Sequence, residues 1–365
     1  MGSYSGFETE ILRVAQWVGT ASLAFALLLF PLVLALRARL VMRERRRRKF
    51  LSVWQPILLS SIEVASADVP RLARRDLSNF LLLWNHLHES LLDEAKDRLN
   101  QIAYALNIDR IALKMLRRRN SRKRLVAIIT LGQLRKRDAW DELSRITEGG
   151  DAISSVAAAR ALVLIDPEKA IPQLIPLLTS RSDWTAARVA GILKTAGADI
   201  ISDPIARAAI AFSLEDQTKR TDQPEAINHA ARLVRYLQLT HNNSALAAAR
   251  TIAESSSDPE VLAACLQLLN SEEDLEVIRA CLNHEFWPVR VQAAAALGRM
   301  GEPEDERRLI PLLADKEWWV RYRAAQALSR LPSMRSPRLK SIQAKQSDRF
   351  ARDMLGQVIA EIELQ

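Results

Sequence analysis

The sequence predicts an all-α fold, an α-solenoid of stacked helical hairpins preceded by one transmembrane helix. Three observations lead to this prediction. The 365 residues include only 11 glycines and 14 prolines and are rich in Ala, Leu and Arg, which favour helices. One uncharged apolar run lies near the N-terminus. Hydrophobic patterns recur later in the chain at one fixed spacing, which is typical of repeat proteins.

Changes in composition divide the chain into four segments. Residues 1–36 hold the N-terminal segment and the predicted span, residues 37–49 are basic, residues 50–106 form a helical connecting region, and residues 107–365 form the repeat array. The two cysteines, Cys265 and Cys281, lie in apolar helical patterns without CxxC spacing. We therefore interpret them as small core residues and predict neither a disulfide framework nor a metal site.

The predicted transmembrane span covers residues 14–36, VAQWVGTASLAFALLLFPLVLAL, and contains no charge. At ~1.5 Å per residue such a helix extends ~34 Å, against a hydrocarbon core of ~30 Å. A cleaved signal peptide is one alternative, but in signal peptides the basic residues precede the apolar run, and here they follow it. A buried core helix is a second alternative, which the arginines that follow disfavour.

Basic residues are concentrated in two short segments, although the whole chain has a net charge of +9. Residues 37–49 contain eight Arg or Lys and one Glu, and the positive-inside bias then predicts an outside N-terminus and a cytoplasmic remainder. We interpret these residues as contacts with anionic lipid headgroups, with a plain stop-transfer signal as the alternative. They are Arg37, Arg39, Arg43, Arg45, Arg46, Arg47, Arg48 and Lys49.

The second basic segment, residues 110–137, contains eleven Arg or Lys and no acidic residue. It lacks interleaved aromatic residues, which disfavours binding to nucleic acid and favours contact with anionic lipid or an acidic partner. A solvated end of the array is an equal alternative. The candidate partner-binding residues here are Arg117, Arg118, Arg119, Arg122, Lys123 and Arg124.

In the connecting region an amphipathic helix carries Trp84, His86 and Glu89, which we treat as a candidate docking surface. His86 and His88 are two residues apart and point ~200° away from each other on a helix, so they cannot hold one metal ion together. We expect surface or helix-end roles for both.

The repeats are clearest in the C-terminal third of the chain. ACLNHEFWPVRVQAAAALGRM, from Ala280, aligns without gaps on PLLADKEWWVRYRAAQALSRL, from Pro311. We call the separation between these two starting points the repeat period. The same period relates other leucines of the array, which are Leu131, Leu162 and Leu193, and separately Leu237 and Leu268.

The repeated motif is an acidic residue followed by W-x-V-R-x-x-A-A-x-A-L. It is best in residues 285–298 and 315–329, and weaker in residues 151–165, 182–194 and 258–269. The motif resembles the HEAT-repeat family, in particular the short repeats of phycobilisome-lyase-type proteins, over residues 107–365 with degenerate units near 199–256. The resemblance implies a bacterial protein of the inner membrane, and structural roles for Arg290 and Arg321, each bound to an acidic group in an adjoining turn.

The tryptophans of this motif divide into two groups. Trp287 and Trp318 occupy one repeat position, so we expect both to pack in the core. Adjacent Trp318 and Trp319 cannot both face the core of one helix, so we expect one of them to be exposed as a contact for a partner.

No phosphate-binding loop, dinucleotide-binding loop or nucleophile elbow is present in the sequence, and we predict no catalytic residue, cofactor or metal. The expected function is a membrane-anchored scaffold that binds a protein partner at or in the membrane. The resemblance implies a partner such as a polysaccharide-synthesising glycosyltransferase complex. One alternative is a lyase-type enzyme with a cleft between repeats. The other is nucleic-acid or anionic-lipid binding through the basic repeats.

Overall fold

A computed structural model describes residues 4–63, 69–118, 120–219, 229–240, 242–332 and 334–364. Within these ranges the regular structure is helical, with 19 α-helices, short 3₁₀ turns and no strand, which confirms the all-α prediction. The chain divides into two compact units, residues 1–130 (unit 1) and residues 131–365 (unit 2).

Unit 1 is built around the C-terminal part of a long first helix. Trp54 of this helix meets the Phe80 ring edge to face, with centroids 5.0 Å apart. Trp84 is fully buried, and its indole N–H donates to the carbonyl of Leu99 at 3.1 Å. The helices are α1 (Tyr4–Glu63), α2 (Leu77–Ser90), α3 (Asp93–Ala105), α4 (Ile108–Leu116) and α5 (Ser121–Gln133), and the boundary between the units falls within α5.

The predicted transmembrane helix, and with it the single-pass localisation, is wrong. In the part of the chain that the structure describes, no helix combines the length and the apolarity that crossing a bilayer requires. Most side chains of residues 14–28 lie outside the described residues.

Unit 2 is a row of helical hairpins, each made of a first and a second helix. The first helices are α6 (Trp140–Gly149), α8 (Pro167–Ser180), α10 (Ala198–Lys219), α12 (Asn243–Ser255), α14 (Leu275–Cys281), α16 (Glu306–Leu309) and α18 (Ser336–Lys345). The second helices are α7 (Ala152–Ile165), α9 (Ala186–Ala196), α11 (His229–Leu237), α13 (Pro259–Leu268), α15 (Trp287–Met300), α17 (Trp318–Arg330) and α19 (Arg349–Glu363).

Second helices of successive hairpins pack side by side, as in α11 to α13, α13 to α15, α15 to α17 and α17 to α19. The last three of these helices begin at Trp287, Trp318 and Arg349, so the repeat period of the sequence is also the period of the structure. All five leucines that carry this spacing are buried. Unit 2 therefore confirms the predicted solenoid of stacked hairpins.

One hairpin departs from this period. Leu193 and Leu237 lie further apart in the sequence than one repeat period, and α10, the first helix of that hairpin, is 22 residues long. Residues 220–228, which complete the connection, lie outside the described residues. The additional residues of this hairpin thus belong to α10 and to the connection that follows it.

Small residues let the second helices approach closely. A Cβ atom added to Gly132 would lie 2.7 Å from the Cβ of Ala161 in α7, and one added to Gly298 would lie 3.0 Å from the Cα of Ala327 in α17. Real Cβ atoms essentially never come as close as 2.7 Å, and 3.0 Å is tighter than most of their contacts. Larger residues at these positions would therefore push the helices apart. The Ala-rich pattern of the motif is therefore a packing requirement.

We predict that Gly132→Ala destabilises the protein by ~1–3 kcal/mol, the usual cost of overpacking a tight core contact. The matched control is Gly191→Ala in α9, where the added methyl group has no atom within 4 Å. At that position the gain in helix propensity is expected to stabilise the protein by ~0.5–1 kcal/mol. Urea unfolding of both variants gives the two free energies, and a stabilising Gly132→Ala would contradict the close approach.

Candidate functional site

Five exposed aromatic side chains lie at the beginnings of the last three second helices, α15, α17 and α19. We call this set the aromatic row. Its members are Phe286, Trp287, Trp318, Trp319 and Phe350, whose side chains are 50%, 40%, 42%, 53% and 62% exposed. Large apolar side chains that stay exposed in successive repeats are typical of an interaction surface.

The repeat period relates four of these aromatics in two pairs of equivalent positions. Trp287 and Trp318 are the first residues of α15 and α17, whereas Trp319 and Phe350 are the second residues of α17 and α19. The first turn of each helix precedes the buried positions that begin with Val289 and Val320. The expectation that Trp287 and Trp318 pack in the core is therefore wrong, and both members of the Trp318 and Trp319 pair are exposed.

The rings of the aromatic row are held by their neighbours. Trp318 stacks on Tyr322 with centroids 5.2 Å apart, and Trp319 meets Trp318 edge to face at 4.7 Å. The guanidinium of Arg321 lies over the ring of Phe350, 5.3 Å from its centroid. Such contacts limit the freedom of the rings without covering them, which lowers the entropy cost of binding a partner.

Arg290 fixes the turn that carries the first aromatics of the row. It is buried, and it donates to the carbonyls of His284 and Glu285 at 2.8 and 2.9 Å. The same guanidinium donates two further hydrogen bonds to the carboxylate of Asp315, at 2.8 and 2.9 Å. One side chain thus joins the turn before α15 to the turn before α17, as the resemblance implied.

Arg321 continues this connection in a different way. It donates to the carbonyls of Asp315 and Lys316, at 2.7 and 3.1 Å, which fixes its own turn. The residue that lies one repeat period after Asp315 is Gln346, so the next turn offers no carboxylate at that position. Arg321 contacts the ring of Phe350 instead, and the predicted acidic partner of Arg321 is wrong.

Earlier turns of unit 2 are bound by arginines as well. Arg181 donates to the carbonyls of Thr147, Glu148 and Gly150, between 2.9 and 3.3 Å, and also to the carboxylate of Asp183. Arg232 donates to the carbonyls of Thr179, Arg181 and Trp184. Arginine is suited to this role because its planar fork carries five N–H donors. These residues have structural roles.

A second row of arginines binds carboxylates at the starts of first helices. Arg250 donates to Asp274 at 2.6 Å, and Arg279 donates to Asp305 at 2.8 Å. Asp274 and Asp305 are fully buried and lie one repeat period apart. Each carboxylate also accepts a backbone N–H within its own capping box.

These contacts lower the pKa of both carboxyl groups. Burial alone raises the pKa of Asp274 and Asp305, but hydrogen bonds from Arg250 and Arg279, together with backbone N–H donors, outweigh it. The hydrogen bonds that Arg279 donates to the carboxylate of Asp305 in turn raise the pKa of Arg279. Both pairs are therefore ionised at neutral pH.

The other predicted contact residues lie in unit 1 and do not form one surface. Trp84 is buried in the core, whereas His86 and Glu89 are exposed. In the α4–α5 connection Arg117, Arg118, Arg122 and Lys123 are exposed, Arg124 is half-buried, and Arg119 lies outside the described residues.

The basic residues of 37–49 separate into two sets along α1. One set lines a cavity between α1 and α2. It contains Arg39, Arg43, Arg46 and Arg47, and the cavity is also lined by His86. Arg37, Arg45, Arg48 and Lys49 are exposed elsewhere on the helix, where Arg48 forms an ion pair with Glu44 at 3.4 Å. The sequence did not reveal this separation, because it depends on where α2 lies.

The cysteines are core residues, as predicted. Cys265 is fully buried, and burial raises the pKa of its thiol to about 12. Burial also raises the pKa of Cys281. Neither thiol is a nucleophile at neutral pH, because the reactive thiolate is not populated. Among the described residues no group of three or more His, Cys, Asp or Glu is placed to hold a metal ion.

Comparisons with known proteins support the repeat assignment. Residues 275–360 match the sequence family described as HEAT repeats. Among solved structures, the chain is similar to a crystal structure of a Kap121p mutant, with 13% identity and a TM-score of 0.50. The match covers 80% of this chain and 38% of that chain, so it spans well under half of the length of the solved structure.

Two further solved structures are less similar. Kap121p itself matches at 12% identity and a TM-score of 0.47, over 80% of this chain and 38% of that chain. An engineered protein matches at 16% identity and a TM-score of 0.28, over 84% and 98% of the two chains. A comparison with curated proteins found no match. The family match thus assigns HEAT repeats to residues 275–360, and the likeness to the Kap121p mutant supports an α-solenoid fold.

We predict that Arg290→Gln destabilises the protein by ~3 kcal/mol, because it leaves the carboxylate of Asp315 and two turn carbonyls without their donor. Arg349→Gln is the matched control, since its ion pair with Asp353 is largely exposed, at 83% and 68% for the two side chains. That loss is expected to cost ~0–1 kcal/mol. Chemical denaturation measures both, and equal costs would contradict the structural role of Arg290.

We predict that acid removes the stabilisation supplied by Asp274 and Asp305. Their folded pKa values lie below the unfolded value of about 3.9, so the unfolded chain takes up protons first as the pH falls. The contribution is complete above that value and is lost as the pH falls through the folded pKa. The free energy of unfolding is measured from pH 7 to below pH ~4 for the wild type and for Asp274→Asn/Asp305→Asn. The difference between the two proteins should become smaller as the pH falls. A gap independent of pH would contradict this linkage.

Proposed function

We propose that this chain is a scaffold that binds a protein partner through the aromatic row. The observation that carries the proposal is the exposure of five aromatic side chains at the beginnings of the second helices of three successive repeats. Aromatic residues with fixed rings are the side chains that most often dominate binding at protein interfaces. A repeat solenoid presents such residues at regular intervals along one extended surface.

The spacing of the repeats favours an extended segment of the partner. Packed helices lie ~8–10 Å apart, so successive members of the aromatic row are offset by about this distance. A polyproline II segment repeats every three residues and rises ~9.3 Å per turn. Apolar residues at every third position of such a segment would meet one repeat after another. Recognition of this kind uses aromatic surfaces in other proteins.

The structural arginines support this proposal because they set the positions of the aromatics. Arg290 and Arg321 hold the turns before α15 and α17 through main-chain carbonyls. The binding surface is then formed before the partner arrives, which reduces the ordering cost of association. Among partner complexes, a polysaccharide-synthesising glycosyltransferase is the example that the sequence suggested, and the crosslinking experiment below tests it.

We predict that Trp319→Ser/Phe350→Ser reduces partner binding at least tenfold while changing the free energy of unfolding by no more than ~1 kcal/mol, since both rings are largely exposed. The control is Ile153→Ser in α7, whose side chain is 58% exposed outside the row. A photo-crosslinking residue at position 319, compared with one at position 153, identifies the partner in cells. Titration of the purified partner then gives the affinities.

The proposal also predicts the spacing of the partner's apolar residues. Peptides that span the crosslinked region should bind through apolar residues spaced three apart, and shifting one of them by a single position should weaken binding. Equal crosslinking from positions 153 and 319 would contradict the aromatic row as the binding surface. Unchanged affinity in the double variant would do the same.

A further inference from the structure

The cavity of unit 1 has a volume of about 940 Å³, which is the size of pockets that hold small ligands. We call it the basic groove. Its walls carry five arginines and only two carboxylates, those of Glu44 and Asp76, so it has a surplus of positive charge. The arginines are Arg39, Arg43, Arg46 and Arg47 of α1, and Arg75 of the segment before α2.

The arginines of α1 lie on the face that continues the packed face of this helix. At ~100° per residue, Arg39, Arg43 and Arg46 fall within ~60° of one another, and Phe50 falls on the same face. Phe50 is buried, and its ring stacks on Trp54 with centroids 6.1 Å apart. One face of α1 therefore packs in the core around Phe50 and carries arginines further toward the N-terminus.

The four arginines of α1 have no carboxylate partner among the described residues. Within the residues that the structure describes, no ion pair includes Arg39, Arg43, Arg46 or Arg47, and the two carboxylates of the groove pair with other arginines. Glu44 binds Arg48 at 3.4 Å, and Asp76 binds Arg75 at 3.8 Å. Four guanidinium groups with like charge then share one wall, and an anion that bridges them would relieve their repulsion.

We propose that the basic groove binds an amphiphilic phosphate. Guanidinium groups hold phosphate oxygens through paired N–H donors, and several of them suit a phosphate or diphosphate group. Leu40, Met42 and Leu82 also line the groove and are more than half exposed, so they offer an apolar surface for the rest of the ligand. The shared chemistry is a phosphate attached to an apolar body, which occurs in free nucleotides and in lipid headgroups.

Titration of the full chain with chosen probes tests the proposal. The probes are ATP and dihexanoyl phosphatidic acid as soluble amphiphilic phosphates, and inorganic pyrophosphate as the phosphate alone. We expect at least one amphiphilic phosphate to bind saturably, with one site per chain and more tightly than pyrophosphate. Affinity should fall as salt is added, because the contacts are ionic. Sedimentation with phosphatidylcholine vesicles that contain phosphatidic acid distinguishes a free nucleotide from a lipid headgroup. Binding of ATP identifies a soluble ligand, and binding of the vesicles identifies a lipid headgroup.

Two triple variants with equal loss of charge locate the site. Arg39→Gln/Arg43→Gln/Arg46→Gln removes three arginines of the groove, whereas Arg37→Gln/Arg45→Gln/Lys49→Gln removes three basic residues of the same helix outside it. We expect the first to weaken binding roughly tenfold or more, and the second by less than about twofold. Neither variant should lower the melting temperature below that of the wild type, because these side chains are exposed.

Three results would overturn the basic groove as a phosphate site. One is the absence of saturable binding with ATP and with dihexanoyl phosphatidic acid. Another is equal weakening by the two triple variants, which would mean that only net charge matters. A third is saturable binding of an acidic peptide such as polyglutamate in place of the phosphates. The groove and the aromatic row lie in different units, so either proposal can fail without the other.

Discussion

The arrangement of unit 2 depends on arginine side chains that bind the turns between helices. Turns carry main-chain carbonyls that no helix satisfies, and a buried carbonyl without a donor costs free energy. Arg181, Arg232 and Arg290 each satisfy several such carbonyls, and each reaches residues of a neighbouring turn or carboxylate. A solenoid has few contacts between distant repeats, so its geometry is the sum of these local connections. The positions of the exposed aromatics follow from them.

The repeat motif was sufficient to predict the second helices and much of their packing. The repeat period of the sequence reappears in the starts of α15 and α17, and the family resemblance implied that Arg290 binds an acidic group of an adjoining turn. Equivalence of position also implied that Trp287 and Trp318 share one environment, and their exposed fractions of 40% and 42% agree. The equivalence of two repeat positions does not reveal whether the environment that they share is buried. The first turn of a helix belongs partly to the preceding loop, so helical periodicity does not decide its burial.

Unit 1 was harder to predict because its important features depend on contacts between helices that have no repeat. The apolar run 14–36 predicts one transmembrane span, but the described part of the chain contains no helix of sufficient length and apolarity. The helix α1 continues through the basic segment to Glu63. Trp84 was considered a docking residue, yet its spacing from Phe80 and Leu81 already placed it on the face that the structure buries. The separation of the basic residues of α1 into two sets could not be predicted, since it requires the position of α2.

The two units use arginine in opposite ways, and this contrast supports different roles for them. In unit 2, Arg279 and Arg290 are bound to buried or half-buried carboxylates, so their charge is neutralised and they stabilise the fold. In the basic groove, Arg39, Arg43 and Arg46 share one face of a helix without such partners among the described residues. Like charges placed together reduce the stability of the unit that carries them. A ligand that binds these charges would offset this loss of stability. In the solenoid, the exposed surface near the structural arginines is aromatic instead. The proposed ligands follow this contrast, an apolar segment for the aromatic row and an anion for the basic groove.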